Sequence, residues 1–237
     1  MFVNSPAIVL SSIKYGDSGR IIKFYTENFG VKSLISKSAY SKKNRQSALF
    51  LPLNQLELTL NEKSTKNLDY FREAKQTVHY TSIYSNPIKS SVVLFICEIL
   101  NAVLQEEESS PLLFQFISTS LTNFDEKDTE YADFHLWFLM KLTRFLGFYP
   151  NITLDKNYFD LKNGVSVDEI PSDAYLSNED FHLFKILYSL DSFEQHKNQF
   201  NQKQRKTLLS SLLSYYSFHI SDFRHPKSLE VLNAVFK

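Results

Sequence analysis

Positive charge and aromatic rings are interleaved over one short part of this sequence. Between residues 14 and 45 there are eight basic side chains and only two acidic ones, Asp17 and Glu27. Lysine and arginine neutralise phosphates, whereas aromatic rings stack on unpaired bases without demanding a particular sequence. These residue types predict a surface that binds nucleic acid. The candidate binding residues are Lys14, Tyr15, Arg20, Lys23, Lys32, Lys37, Tyr40, Lys42, Lys43 and Arg45.

The densest positive charge lies in the segment SAYSKKNRQSALF, residues 38–50, which has no acidic side chain. Apolar, strand-like runs flank this segment, so it is predicted to be a polar connection between two strands. Its three cations either contact phosphates or keep a barrel edge soluble, which is a common use of lysine. Successive residues of a strand face opposite sides, so several aromatic rings must lie in the core. Tyr15 and Tyr40, beside predicted turns, are expected to be exposed.

Catalytic motifs are incomplete in this chain. GDSG at residues 16–19 resembles the surroundings of a serine nucleophile, but no upstream histidine and aspartate complete a triad. A hairpin turn explains it better, and a hydrolase that uses Asp17 and Ser18 is kept as an alternative. The six histidines show neither HxxxH nor HExxH spacing, and no phosphate-binding glycine loop is present. We therefore expect no catalytic residue, no metal and no cofactor.

Zero net charge conceals an asymmetry between two parts of the chain. Residues 1–80 contain 12 basic and 6 acidic side chains, whereas residues 81–237 contain 14 basic and 20 acidic ones. This contrast favours two domains, the first of which would attract an anionic partner. Chance differences between two solvated surfaces explain the numbers equally well.

The single cysteine, Cys97, cannot form an internal disulfide, which fits a reducing cytoplasm. No basic segment followed by an apolar one opens the chain, so no secretion signal is expected. No apolar run approaches the ~20 residues of a membrane span. We expect a soluble protein of the cytoplasm that does not bind a membrane.

Five short runs in the first 75 residues have the composition of strands. They are AIVLSSIKY, RIIKFYT, VKSLISK, LPLNQLELTL and LDYFREA. In QLELTL, Leu56, Leu58 and Leu60 alternate with polar residues, as in a half-buried strand. Closure into a small barrel removes the edges that an open sheet would expose. Residues 1–80 are therefore predicted to form a five-stranded barrel of the OB-fold type.

After Pro87 the apolar period becomes helical, and about six helices follow. Residues 130–148 are apolar almost all round and end at Gly147, which predicts a central buried helix. Residues 151–176 are predicted to be an irregular insert. Residues 81–237 thus form an all-α domain, and the fold class of the chain is α+β.

Four segments follow one another in an order typical of one known family. They are AIVLSSIKYGDSGRIIKFYTENFGVKSLISKSAYSKK at the start, FLPLNQLELTL next, LTRFLGFYPN in the middle and LLSSLLSYYSFHISDFRHPKSLEVL near the C-terminus. Together they resemble the corresponding patterns of the RecO family of DNA repair proteins. The resemblance spans most of the chain.

The resemblance implies an N-terminal OB domain, a helical domain and no enzymatic activity. It implies binding of single- and double-stranded DNA, annealing of complementary strands, and help to RecR in loading RecA onto strands coated with single-stranded-DNA-binding protein (SSB). Lys42, Lys43 and Arg45 would then be a phosphate clamp, and the protein would act at the bacterial nucleoid. The alternative is a protein–protein adaptor whose basic barrel binds an acidic partner and not DNA.

Lys141 and Arg144 lie three residues apart on the predicted central helix and so share one face. They either pair with carboxylates of their own domain or capture an acidic, aromatic peptide. The resemblance implies such a peptide, the C-terminal tail of SSB.

One departure from the family concerns zinc. Many members have a four-cysteine zinc site in the insert after the LGF-x-P motif, but residues 151–176 contain no cysteine. Four ligands are needed for a structural zinc site. We therefore expect no bound zinc, with Tyr158, Phe159 and Leu161 holding the insert in place.

Overall fold

The structure is a computed structural model that describes residues 1–16, 19–36, 45–62, 69–104, 109–193 and 197–236. The chain forms two compact units, Met1–Thr122 and Asn123–Lys237. The first unit therefore extends beyond residue 80, where the sequence predicts that the first domain ends. The division of the chain into domains 1–80 and 81–237 stays a prediction. Among the described residues, no helix is long and apolar enough to cross a membrane.

A curled sheet of six strands dominates the first unit. The strands are β1 (Phe2–Tyr15), β2 (Gly19–Thr26), β3 (Gly30–Ser36), β4 (Gln55–Asn61), β5 (Asp69–Tyr70) and β6 (Glu73–Gln76). Their order in the sheet is β5-β3-β2-β1-β4-β6. A 3₁₀ helix, Arg45–Phe50, precedes β4.

The sheet closes because one stretch of chain pairs with both of its edges. Asp69–Tyr70 pairs with β3 in parallel, and Glu73–Gln76 pairs with β4 in antiparallel fashion. The sequence predicts a single fifth strand here. The structure divides it at Phe71 and Arg72, which carry the chain from one edge to the other. The α+β class and the OB-type barrel are confirmed.

Aromatic and aliphatic side chains fill the inner face of this barrel. Leu56, Leu58 and Leu60 are buried there, as their alternation predicts. The ring of Phe24 lies edge-on to the ring of Phe50, with 6.3 Å between centroids, and to the ring of Phe71 at 6.0 Å. Burial of such rings supplies much of the free energy that keeps a small barrel closed.

Two helices cover part of the outer face of β1 and β2. They are α1 (Pro87–Val103), capped by Asn86, and α2 (Pro111–Glu126). The Tyr25 hydroxyl donates to the Ser110 carbonyl oxygen at 3.2 Å, and the Cys97 thiol donates to the Leu10 carbonyl oxygen at 2.8 Å. Burial raises the pKa of Cys97 to about 12, so this thiol stays protonated and inert.

The second unit is built around α3 (Phe134–Phe145), which is buried over almost its entire length, as its all-round apolar pattern predicts. The Tyr216 hydroxyl donates to the Leu139 carbonyl oxygen at 2.8 Å and fixes α5 (Gln202–His219) against α3. Gly147, with a φ of +83°, ends the helical segment. The helices are α3 (Phe134–Phe145), α4 (Asn178–Ser189), α5 (Gln202–His219) and α6 (Leu229–Val235).

Residues 151–176 are more regular than the sequence predicts. They contribute to a three-stranded antiparallel sheet of β7 (Tyr158–Asp160), β8 (Val165–Val167) and β9 (Tyr175–Ser177), in the order β8-β7-β9. Strands of three residues are too short to show a period of two. The second unit therefore contains a small sheet beside its helices, where the sequence indicates helices alone.

Phe159 anchors this small sheet, as predicted for the apolar residues of the insert. Its ring is fully buried and lies 5.1 Å from the ring of Phe184 and 5.7 Å from that of Tyr215, measured between centroids. Leu161 is also buried, and Tyr158 is half-buried. The sheet is thus held by packing against α4 and α5.

Candidate nucleic-acid interface

The β1–β2 hairpin places three of the predicted binding residues, Lys14, Tyr15 and Arg20, close together. Lys14 lies directly opposite Arg20, and Tyr15 lies opposite Gly19. The Arg20 guanidinium donates to the Ser12 hydroxyl at 3.0 Å, which orients it along the strand. Two cations in directly opposed positions repel each other. A phosphate between them would relieve that repulsion.

The hairpin turn itself depends on glycine. Gly16 has a φ of +61°, and a Cβ on Gly19 would lie 2.9 Å from the Tyr15 carbonyl oxygen. The two glycines of the GDSG tetrapeptide therefore serve the turn, which confirms a hairpin at this position. Asp17 and Ser18, the residues of the hydrolase alternative, lie outside the described residues.

The predicted residues are divided between the two faces of the curled sheet. Arg20, Ile22 and Phe24 are every second residue of β2 and so share the face that lines the barrel core. Lys14, opposite Arg20, and Lys32, opposite Phe24, therefore also lie on the inner side. Tyr15 and Lys23 lie on the outer side. The hairpin thus places these residues at neighbouring positions of paired strands. Because they lie on two faces of the sheet, they do not form a single patch.

Exposure separates these residues further. The side chain of Tyr15 is 50% exposed, in agreement with the expectation for this residue, and Lys14 is also exposed. Arg20, Lys23 and Lys32 are half-buried. Long cationic side chains of this kind can pack their aliphatic stems on a sheet and extend their charged ends to solvent, although the Nε atom of Arg20 is itself buried.

The predicted phosphate clamp falls largely outside the described residues. Lys37, Tyr40, Lys42 and Lys43 lie in the segment that the structure does not describe, and Arg45 is the first residue of the 3₁₀ helix. The clamp therefore stays a prediction.

Tyr70 belongs beside the predicted residues although the sequence did not indicate it. It is 44% exposed and lies in β5 in register with Ile35 of β3. A strand of two residues gives no periodic signal, so only the aromatic composition of LDYFREA could have drawn attention to it.

Near the other end of β1, the Arg72 guanidinium lies over the ring of Phe2, 5.3 Å from its centroid.

In the second unit, Lys141 is almost fully buried. Its ammonium group lies 3.3 Å from the Tyr188 carbonyl oxygen and 3.9 Å from a carboxylate oxygen of Asp191. Burial lowers the pKa of Lys141, the neighbouring Arg144 lowers it further, and Asp191 partly offsets both. These contacts are the kind expected from a pairing within the domain.

Arg144 is exposed and differs from Lys141 in its surroundings. Its guanidinium lies over the ring of Tyr149, 4.4 Å from the centroid, and that ring stacks on Tyr188 at 5.2 Å. Tyr149 therefore links the two cations, whose ammonium and guanidinium groups both approach its ring. The result is a small basic and aromatic surface on α3 and the segment that follows it.

A cleft of about 380 Å³ in the second unit was not indicated by the sequence. His135, Arg205 and Phe236 line it, and burial lowers the pKa of His135 to about 4. Over the described ranges, no three histidine, cysteine, aspartate or glutamate side chains are grouped so that they could hold a metal ion.

Comparison with known proteins covers both units of the chain. Residues 1–80 match the family described as Recombination protein O N terminal, and residues 84–230 match Recombination protein O C terminal. The chain is 36% identical to the DNA repair protein RecO of Christiangramia forsetii and 37% identical to that of Flavobacterium psychrophilum. It is 30% identical to the DNA repair protein RecO of Porphyromonas gingivalis. All three alignments cover 100% of both chains.

An OB-type barrel followed by a helical unit, each matched by a recombination-protein family, defines a DNA repair protein of the recombination class. The chain belongs to the RecO family of DNA repair proteins. The resemblance on which the sequence analysis relied is confirmed.

Proposed function

We propose that this RecO-family protein is a DNA-binding recombination mediator without a catalytic site. It binds single- and double-stranded DNA, anneals complementary strands and, with RecR, promotes loading of RecA onto strands coated with SSB. It works in the cytoplasm at the nucleoid and needs no cofactor. The observation that carries the proposal is the opposed pair Lys14 and Arg20 at the hairpin end of an OB-type barrel.

Positive charge is concentrated on β1, β2 and β3 of the barrel. OB-folds bind oligonucleotides through the face of strands 2 and 3 and the loops beside it. In this chain the cations of β1, β2 and β3 lie on or next to those strands, and no predicted site residue is acidic. Each phosphate that such a cation neutralises releases counterions, which makes the affinity depend on salt.

The test is fluorescence anisotropy with a labelled oligonucleotide over a salt series. Replacing Lys14 and Arg20 by alanine should weaken binding to every sequence alike and flatten the plot of log affinity against log salt by about 1.4 units, at ~0.7 per phosphate. Lys75→Ala is the matched control, because this exposed lysine lies on β6 opposite Glu57. An unchanged slope in a folded double variant would remove these residues from the interface.

The clamp is tested in the same way. Replacement of Lys42, Lys43 and Arg45 by alanine should flatten the slope by about 2 units. Little effect on folding is expected, because the sequence predicts a polar connection here, and substitutions at a polar surface change stability little. A slope equal to that of the unmodified protein would indicate that these residues do not contact phosphates and instead keep a barrel edge soluble. If the unmodified protein binds no DNA even at low salt, the adaptor alternative replaces the mediator.

The surface formed by Arg144, Lys141 and Tyr149 supports a proposed contact with the acidic C-terminal tail of SSB. A carboxylate would meet the exposed guanidinium, and an apolar side chain would meet the tyrosine ring. Because Lys141 is buried, Arg144→Ala tests the contact with less risk to the fold than the double replacement. Unchanged affinity for a synthetic tail peptide in both variants would place that site elsewhere.

A further inference from the structure

The cleft between α5 and α6 in the second unit has an apolar floor. Its volume is about 380 Å³, and pockets that bind small molecules have volumes of roughly 300–1,000 Å³. Leu209 of α5 and Leu232 of α6 line the cleft and are buried. Phe236 and His135 also line it, and their rings stack with 5.3 Å between centroids. The cleft therefore offers an apolar surface to part of a ligand.

Two cations of α5, Arg205 and Lys206, also line the cleft. The Nη1 atom of Arg205 lies 3.4 Å from a carboxylate oxygen of Asp133 and donates to the Phe200 carbonyl oxygen, which holds the guanidinium in place. Asp133 is fully buried and offsets part of the charge of Arg205. Lys206 is exposed and brings a second positive charge. A fixed guanidinium beside a lysine is suited to binding a phosphate.

The remaining polar groups of the cleft suit the neutral parts of a ligand. Glu230 and Asn233 lie three residues apart on one face of α6, and Gln202 lines the cleft from α5. Side-chain amides of asparagine and glutamine pair with the edge of adenine. A carboxylate accepts hydrogen bonds from the hydroxyls of ribose. Glu230 also repels a ligand that is negatively charged along its length, such as an acidic peptide.

We infer that this cleft binds a nucleoside monophosphate. The phosphate contacts Lys206 and Arg205, and the base lies over the apolar floor with the amides of Gln202 and Asn233 at its edge. Glu230 accepts from the sugar hydroxyls. The terminal nucleotide at the 5′-phosphorylated end of a DNA strand shares the phosphate and the base but has no free sugar hydroxyl, so Glu230 favours the free nucleotide.

A ligand held by both helices would tie α6 to the rest of the second unit. α6 has seven residues, all of them described, and of these Leu232 alone is buried. Elements with few buried contacts open readily, and a ligand that binds only the closed form makes opening less frequent. Occupancy of the cleft should therefore be visible as protection of the C-terminal helix.

The test is isothermal titration calorimetry of the full chain with adenosine monophosphate (AMP). Lys206→Ala should weaken AMP binding about ten- to hundredfold, because it removes a charge-assisted contact with the phosphate. Lys203→Ala is the matched control, since Lys203 is an exposed lysine of α5 that does not line the cleft. This control should bind AMP within twofold of the unmodified protein.

A second variant blocks the cleft without removing a charge. Ala234 is exposed and lines the cleft, so Ala234→Trp places a large side chain in it. This variant should lose AMP binding with a nearly unchanged melting temperature, because substitutions at exposed positions alter stability little. AMP binding at full strength in this variant would place the nucleotide elsewhere.

The other outcomes are equally decisive. The inference is overturned if the unmodified protein shows no saturable AMP binding up to millimolar concentration, or if inorganic phosphate binds as tightly as AMP. Equal losses in the two lysine variants would reveal a general attraction of charge and also overturn it. Competition by a 5′-phosphorylated DNA oligonucleotide as strong as that by free nucleotide would contradict recognition of the sugar hydroxyls.

The inference goes beyond the proposed function and fails independently of it. The variant in which Lys14 and Arg20 are replaced by alanine should bind AMP normally, and a loss there would assign the nucleotide to the barrel. If AMP does not bind, DNA binding by the barrel is unaffected.

Hydrogen exchange provides a measurement that needs no variant. Saturating AMP should slow amide exchange of residues 229–236 in the unmodified protein. Slower exchange confined to residues 1–80 would overturn the site in the second unit.

Discussion

The two sheets of this chain hold themselves together in different ways. The six-stranded sheet of the first unit curls until one stretch, residues 69–76, pairs with both edges, and its own rings fill the inside. The three-stranded sheet of the second unit has strands of three residues and packs against α4 and α5 through Phe159. The first sheet is stabilised by its own closure, whereas the second depends on its neighbours.

The largest expected effect comes from removing the anchor of the small sheet. Phe159→Ala should lower the free energy of unfolding of the second unit by about 3–5 kcal/mol, because a fully buried ring leaves a cavity. Trp137, the single tryptophan, lies in the second unit, so urea unfolding followed by its fluorescence reports the change. Ile170→Ala is the control, since Ile170 is 62% exposed. A loss below 1 kcal/mol for Phe159→Ala would contradict dependence on this packing.

A smaller effect should appear as a pH dependence of the second unit. Burial lowers the pKa of His135 from 6.5 to about 4, so between these values the unfolded chain binds a proton that the folded chain does not. The contribution of neutral His135 to the free energy of unfolding is fully present above pH 6.5 and falls as the pH falls toward 4. Between pH 7 and pH 5 the loss due to His135 is about 2 kcal/mol, at 1.36 kcal/mol per pKa unit. His135→Gln should remove the part of the pH dependence of unfolding that is due to His135. If the variant's free energy of unfolding depends on pH as that of the unmodified protein does, His135 is not the cause.

One turn in each of the two sheets contains a glycine, and the two glycines have similar backbone conformations. Gly16 in the barrel hairpin and Gly164 in the small sheet have φ values of +61° and +68°. A Cβ on Gly16 meets nothing within 4 Å, whereas one on Gly164 would lie 2.7 Å from the Tyr215 hydroxyl oxygen. Gly16→Ala should cost about 1 kcal/mol for the left-handed backbone. Gly164→Ala should cost at least about 1 kcal/mol more, and equal urea midpoints would show that Tyr215 moves aside freely.

The smallest effect is expected from metal removal. Residues 151–176 contain no cysteine, and Phe159 packs at the centre of the small sheet. Treatment with a strong chelator should therefore leave the melting temperature unchanged, and elemental analysis should find no stoichiometric zinc. About one zinc per chain, with a lower melting temperature after chelation, would contradict this expectation.

The sequence predicted those parts of the fold that repeat over many residues. The alternation of Leu56, Leu58 and Leu60 indicated a strand, and the all-round apolar pattern of residues 130–148 indicated a buried helix. Three-residue strands such as β7 carry too little pattern to be recognised. Their pairing is set by the packing of Phe159 on helices that lie farther along the chain.

The candidate interface was predictable in composition but not in arrangement. Charge and aromatic content pointed to the stretch from Lys14 to Arg45. The sequence indicated that Lys14 and Tyr15, adjacent in one strand, would lie on opposite faces, but it did not indicate which of the two faces would be the inner one. Tyr70 was missed because its place beside Ile35 depends on parallel pairing of β5 with β3, across 35 residues of chain. Such pairing depends on closure of the whole barrel.

The double pairing of residues 69–76 also bears on how the protein is made. A ribosome that has released β1 to β4 has produced a sheet whose two outer strands still present unpaired backbone groups. Such edges invite pairing with other chains. Synthesis at about 5–20 residues per second delivers the next fifteen residues within roughly one to three seconds. The nascent barrel is therefore exposed to misassembly for that interval, and the stretch that ends it is the last of the barrel to emerge.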